Sequence, residues 1–130
     1  MKFALALVLI SATTFSYAED MLIFAGPDHK EFLGCLNCDE NFQNSVWNPT
    51  SPYGWENGFG KWNPFGVFRS PFSSQSACNV FATAPPVIVD RSGKFYGTLS
   101  IKEFDTQSIC SNARDEQSIC MALKVMCKGN

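Results

Sequence analysis

The 130-residue sequence has one histidine, His29, and no cluster of lysine or arginine anywhere along it. Ten basic residues stand against twelve acidic ones, a formal net charge of −2. Such a surface has no pull on phosphate backbones or anionic lipid, so nucleic-acid binding is excluded. A lone histidine between Asp28 and Lys30 reads as a solvated loop residue. Without a Gly-x-Ser-x-Gly elbow it does not make a hydrolase triad. A zinc site would need a second cysteine pair at ligand spacing, and Cys110, Cys120 and Cys127 do not supply one. No metal or cofactor is called for. After the first residues no apolar run approaches the about 20 residues that cross a bilayer, so no stable membrane insertion is expected.

The first residues, "MKFALALVLISATTFSYAED", are of another kind. Lys2 precedes an apolar run from Phe3 to Ile10, and Ser16-Tyr17-Ala18 places small residues at the two positions that matter for cleavage. This is the pattern of a secretory signal peptide over residues 1–18. Residues 19–130 then form a single secreted domain, periplasmic or extracellular. All six cysteines, Cys35, Cys38, Cys78, Cys110, Cys120 and Cys127, lie in it. An even number in a small exported domain implies disulfides. Cys35 or Cys38 is expected to bond Cys78, and the tail cysteines to pair among themselves or back to the sheet.

"MLIFAG" predicts a strand that ends at Gly26-Pro27, and "EFLGCLNC" a second with a bend or bulge at Gly34. "PPVIVDRSGKFYGTLSI" predicts a hairpin: a buried central strand over 87–89, a turn over 90–93, and a return over 94–101. In that return Phe95, Gly97, Leu99 and Ile101 are expected to share the core face. "ARDEQSICMALKVMCKGN" predicts one amphipathic helix. Asp115 and Glu116 suit its start, and Lys124, Lys128 and Gly129 its end. Ile119, Cys120, Leu123, Met126 and Cys127 form a face to dock on the sheet. The fold class is α+β, mainly β: a small disulfide-linked sheet with aromatic-rich turns and one C-terminal helix.

Between Phe42 and Phe81 prolines and glycines break any helix, yet aromatic residues recur every few positions. Trp47-Asn48, Trp62-Asn63 and Cys78-Asn79 form a weak repeat. Asparagine before proline favours a turn, because its side chain can reach the backbone two residues on. The units read as successive turns packed against one sheet. The binding candidates are Trp47, Tyr53, Trp55 and Trp62 with Asn48 and Asn63, flat apolar faces beside amides that suit a sugar or a protein partner. A redox role for Cys35 and Cys38 needs a Cys-x-x-Cys that opens a helix. Here turn formers follow, and Asp39 and Glu40 would raise a thiol pKa.

"FLGCLNCDENFQNSVWNPTSPYG", the later Trp-Asn and Cys-Asn units and "PPVIVDRSGKFYG" resemble a group of small, mostly bacterial proteins. These share a Leu-Gly-Cys-Leu-Asn-Cys start, repeated Ser-x-Trp-Asn units and a Pro-Pro-Val-Ile-Val-Asp hairpin. The likeness covers about Phe32 to Thr98, and the cysteine-rich tail departs from it. It implies a shared fold and carries no activity or catalytic residues. The reading is an exported, non-enzymatic binding or structural module for a protein or cell-wall glycan, with an inhibitor or immunity-like role included. The alternative is a periplasmic thiol-disulfide oxidoreductase that uses Cys35 and Cys38.

Overall fold

The computed structural model describes residues 19–112 and 117–128. The expected signal peptide, the acidic start of the helix and its Gly129 cap lie outside the described residues. Among the described residues four short strands and one helix form: β1 Leu22–Ala25, β2 Glu31–Cys35, β3 Val87–Val89, β4 Phe95–Thr98 and α1 Gln117–Lys128. The sheet is antiparallel with the order β2-β1-β3-β4. The two most apolar segments take its centre, where Ile23 and Ile88 are fully buried and face each other. Each central strand pairs outward with the strand that follows it, and each of those pairs carries a bulge, at Ile23/Phe24 and at Ile88/Val89.

The sheet has an internal two-fold relation that passes through the Ile23–Ile88 pair. Ile23 faces Gly34, and Ile88 faces Gly97. Both glycines have positive φ, +119° and +137°, which side-chain-bearing residues rarely adopt. The Leu36 N–H donates to Met21 O, and the Leu99 N–H to Pro86 O, both at 2.8 Å. Both outer strands then leave the sheet through a single parallel bridge, Cys35 to Ser45 and Thr98 to Ser108. The bulge also corrects the expected alternation in β4. Phe95 is exposed, Tyr96 packs on the core, and both Leu99 and Ser100 are fully buried. β4 ends at Thr98, short of Ile101, because a new run of turns starts there: the Ser100 hydroxyl accepts the Lys102 N–H.

Residues 39–82 contain neither helix nor named strand. They fold as a chain of β-turns whose corners come every third residue. N–H groups of Phe42, Ser45, Asn48, Ser51, Gly54, Asn57, Gly60, Asn63 and Gly66 each donate to the carbonyl three residues back. A side-chain oxygen at the corner then accepts the N–H two residues on, as Ser45 does for Trp47, Asn48 for Thr50, Ser51 for Tyr53, Asn57 for Phe59 and Asn63 for Phe65. Three asparagine amides also donate back across two turns: Asn48 to Phe42 O, Asn57 to Ser51 O and Asn79 to Ser73 O, at 2.8–3.1 Å. The ribbon coils on itself about every nine residues. Backbone bonds of 2.8–3.0 Å join Trp55 to Val46, Lys61 to Pro52 and Ala77 to Phe68. Coils approach closely where glycine stands, and a Cβ at Gly54 would overlap the Asn48 carbonyl. The 15-residue Trp-Asn repeat is thus a multiple of a shorter, three-residue device.

Helix α1 packs through its apolar face. Its face of Cys120, Leu123 and Met126 is buried as foreseen, and it belongs to the same core cluster as Ile23, Leu33 and Ile88 of the strands and Trp55 and Trp62 of the coils. Two disulfides, Cys78–Cys127 and Cys110–Cys120, hold it there. An exposed Lys124–Glu103 pair at 2.9 Å adds little.

The β3–β4 turn is built on one buried carboxylate. Asp90 accepts from the Ser92 N–H and hydroxyl, the Lys94 N–H and the Tyr96 hydroxyl. These bonds, the Ser92 hydroxyl foremost, outweigh burial and hold its carboxyl down to about 2, from an ordinary 3.8. A depressed carboxyl stabilises the fold above the unfolded value and loses that effect as pH falls through the folded one. Asp90→Asn should therefore melt lower than wild type at pH 6, and the gap should close as pH is taken from about 4 to about 2. A gap in thermal midpoints that stayed constant over that range would assign the effect to geometry rather than to charge.

Candidate functional site

The three tryptophans are brought together, one per coil. Trp47 and Trp55 meet edge to face at 5.0 Å, and Trp55 and Trp62 at 6.0 Å. Such pairs add about 0.5–1.5 kcal/mol beyond burial. Trp47 and Trp62 are anchored to the segment around β2 by their indole N–H groups, which donate to Leu36 O at 2.7 Å and Leu33 O at 3.0 Å. Trp62 is fully buried, and Trp47 is 40% exposed. Tyr53 is not part of this group. It packs edge to face on Phe32, which meets Phe24. Asn48 and Asn63 serve the turns, since each accepts the amide two residues on.

Beside Trp47 and Trp55 lies a cleft of about 550 Å³. Ala122, Val125 and Met126 of α1 form its opposite wall, with Pro64, Glu56 and Arg69 on the ribbon side. Trp55 is 95% buried (5% exposed), yet its indole N–H has no hydrogen-bond partner among the described residues. Arg69 builds the cleft. Its buried guanidinium donates to Trp55 O at 3.4 Å, Trp62 O at 3.1 Å and Met126 O at 2.7 Å. One side chain thus ties two tryptophan turns to the C-terminal end of α1, where a cation is favoured by the helix dipole. Burial lowers its pKa from the ordinary 12.5, and an arginine stays charged nonetheless. Sequence reasoning passed over Arg69. The available signal was that Lys61 and Arg69 are the only basic residues between Lys30 and Arg91.

A second set of residues is unusually exposed. Phe59 is fully exposed, and Phe65, Phe72, Phe81 and Phe104 are 83–96% exposed. Four of them share one position: the N–H of Phe59, Phe65, Phe72 and Phe81 is held by Asn57, Asn63, Ser70 and Asn79. The backbone is fixed there, and the ring stands outside. Phe81 and Phe104 flank a groove of about 740 Å³ that also takes in Val80 and Ile101.

The disulfides revise the expected pairing. Cys35 bonds Cys38, not Cys78, and Cys78 bonds Cys127. No cysteine is free. The reason is the turn that follows β2, which folds the chain back within three residues and sets the two Cα atoms 5.5 Å apart. The Asp20 carboxylate lies within 4.8 Å of both sulfurs. Joined as a disulfide, these sulfurs are not thiolate ligands. Were the bond opened, a carboxylate so near would raise the thiol pKa. The pair also ends a strand rather than opening a helix, and Cys35 is fully buried while Cys38 is half-buried.

Comparison with family models, curated proteins and solved structures finds no match to this chain. The site's meaning therefore rests on its own chemistry. Arg69→Met keeps the side-chain stem and leaves the three carbonyls without their charged donor. It should cost about 2–4 kcal/mol of stability in urea unfolding, and Arg69→Lys should recover part of it. A loss below about 0.5 kcal/mol would show that the guanidinium does not hold the cleft together.

Proposed function

We propose that this chain is an exported, non-enzymatic binding module whose ligand site is the cleft between the tryptophan coils and α1. The observation that carries the reading is the cleft itself, about 550 Å³, mostly apolar and walled by Trp47 and Trp55 on one side and Val125 and Met126 on the other. A concave, mostly apolar cleft of this size with aromatic side chains in its wall is the usual form of a small-ligand site. Three disulfides suit an oxidising compartment, and export through the segment 1–18 is part of the same proposal. So is kinship with the small bacterial proteins that share its motifs. The oxidoreductase alternative draws less support, because Asp20 and the strand-end position of Cys35 work against a low-pKa thiol.

A second reading, a protein partner, is favoured by the exposed phenylalanines. Their rings offer area without a polar handle, on turns that lose little freedom on binding. The dye 1,8-anilinonaphthalene sulfonate separates the two. Ala122→Trp fills the cleft from the α1 side. Saturable dye fluorescence is expected from wild type and should be lost in this variant, with its thermal midpoint within a few degrees of wild type. Dye fluorescence that survives undiminished in Ala122→Trp but falls when Phe59, Phe65, Phe72 and Phe81 are changed to Ser would favour the protein-partner reading instead.

A further inference from the structure

Away from the cleft, a second concavity combines three features on one patch: a hollow, projecting rings, and charges of both signs. The groove of about 740 Å³ has Val80 and Ile101 in its lining, and Phe81 and Phe104 stand beside it 83% and 96% exposed. The turns that carry these rings are fixed. Asn79 holds the Phe81 N–H, the Ser100 hydroxyl the Lys102 N–H, and the Asp105 carboxylate the Gln107 N–H. The Ile101 N–H donates to Ala77 O at 3.0 Å and joins the two runs of turns. Rings on so fixed a backbone lose little freedom on binding. An exposed apolar patch of this kind marks an interaction surface.

The charges select the kind of partner. Lys102, Glu103, Asp105 and Lys124 all line the groove, two of each sign. Lys124 and Glu103 pair with each other at 2.9 Å. That leaves one cation and one anion, Lys102 and Asp105, without an ion pair among the described residues. A strongly acidic or strongly basic partner would meet one of them as a like charge. A second copy of the same patch would not. Lys102 and Asp105 lie on either side of Glu103 and Phe104 in the chain. A two-fold axis near that step sets each Lys102 opposite the other copy's Asp105, since an isologous contact pairs i with j and j with i. The same axis carries each Phe104 ring onto the other copy's groove.

We propose that this face joins two copies of the chain in a two-fold dimer, with Phe81 and Phe104 of each copy packed in the groove of the other and Lys102 of each paired with Asp105 of the other. The area is sufficient. An aromatic side chain buries about 150–250 Å², so four phenylalanines supply roughly 600–1,000 Å². Val80, Ile101 and the charged rim bring the contact toward the roughly 1,200–2,000 Å² of a specific interface. The dimer goes beyond the cleft and does not rest on it, because the two linings share no residue.

Sedimentation velocity of the oxidised protein tests this. From about 1 to about 300 µM the weight-average mass should rise from one chain toward two, as expected for a contact of this modest size. Phe104→Ser should abolish the rise, whereas Phe59→Ser, an equally exposed ring outside the groove, should leave it unchanged. Lys102→Glu puts two repulsive pairs in place of two attractive ones and should weaken the dimer about tenfold. Asp105→Asn keeps the acceptor that closes its turn and should weaken the dimer about threefold. An equimolar mixture of these two variants should associate more tightly than either alone, because only the mixed pair sets a lysine at 102 against a carboxylate at 105 with no repulsive pair opposite. A wild type that stays monomeric at about 300 µM overturns the proposal and leaves the groove to an unlike partner. So does a dimer that Phe59→Ser weakens as much as Phe104→Ser, or a mixture that associates no more tightly than its components.

Discussion

The structure depends on one local interaction: a side-chain oxygen at a turn corner that accepts the N–H two residues on. Residues 39–82 have no helix or named strand to absorb their backbone polar groups. Left bare, those groups would oppose burial of the adjoining aromatic rings. Serine, asparagine and aspartate solve this locally. Ser45 shows the device most fully. Its hydroxyl accepts from Trp47 N–H and donates to Cys38 O, so one small side chain closes its own turn and ties it to an earlier one. Ser108 does the same between Cys110 N–H and Ser100 O. With the backbone satisfied by short polar side chains, the neighbouring positions are free to carry tryptophan inward and phenylalanine outward.

This device shaped what the sequence disclosed. The hairpin from Val87, the strand from Leu22 and the buried helix face were legible because each has its own period or turn signal. The Asn-Pro turns were legible too, since asparagine before proline has a local mechanism. Their three-residue period was not. Serine, asparagine and glycine substitute for one another at the corners, so no single residue type repeats. The backbone bonds between coils leave no trace in side-chain identity at all. The internal two-fold relation did leave a trace: Ile23 and Ile88, Gly34 and Gly97, Leu36 and Leu99, and Ser45 and Ser108 are equivalent and identical, but they are scattered among unlike pairs such as Cys35 and Thr98 or Trp47 and Cys110.

The candidate site was half legible for a related reason. Trp47, Trp55 and Trp62 announced an aromatic cluster, and they do meet. Tyr53, two residues before Trp55, goes elsewhere because the ribbon turns every three residues and sends neighbours in different directions. What the sequence withheld is the other wall. An amphipathic helix is expected to seek a sheet, and this one shares its core cluster with the strands and with the tryptophan coils together. Arg69, isolated in the sequence, becomes the joint between the coils and the helix.

The internal two-fold relation bears on why the opening against α1 on the Trp47 side, about 550 Å³, is larger than the one of about 160 Å³ beside Cys110 and Cys120. Trp47 and Cys110 hold equivalent positions, each the second residue after the serine of its parallel bridge. In the second half that position is a cysteine bonded to Cys120, which draws the helix onto the coil covalently. In the first half it is a tryptophan, which is 40% exposed and lines the cleft beside α1. The same backbone device, given cysteine once and tryptophan once, makes an anchor in one place and an opening in the other. The helix is pinned through Cys110 and Cys78, Arg69 holds the Met126 carbonyl, and Trp47 is held by the Leu36 carbonyl, so both walls of the cleft are tied to the scaffold. The cleft is therefore a property of the locked scaffold, present before any ligand arrives, and preorganisation of that kind is what a binding site needs more than a core does.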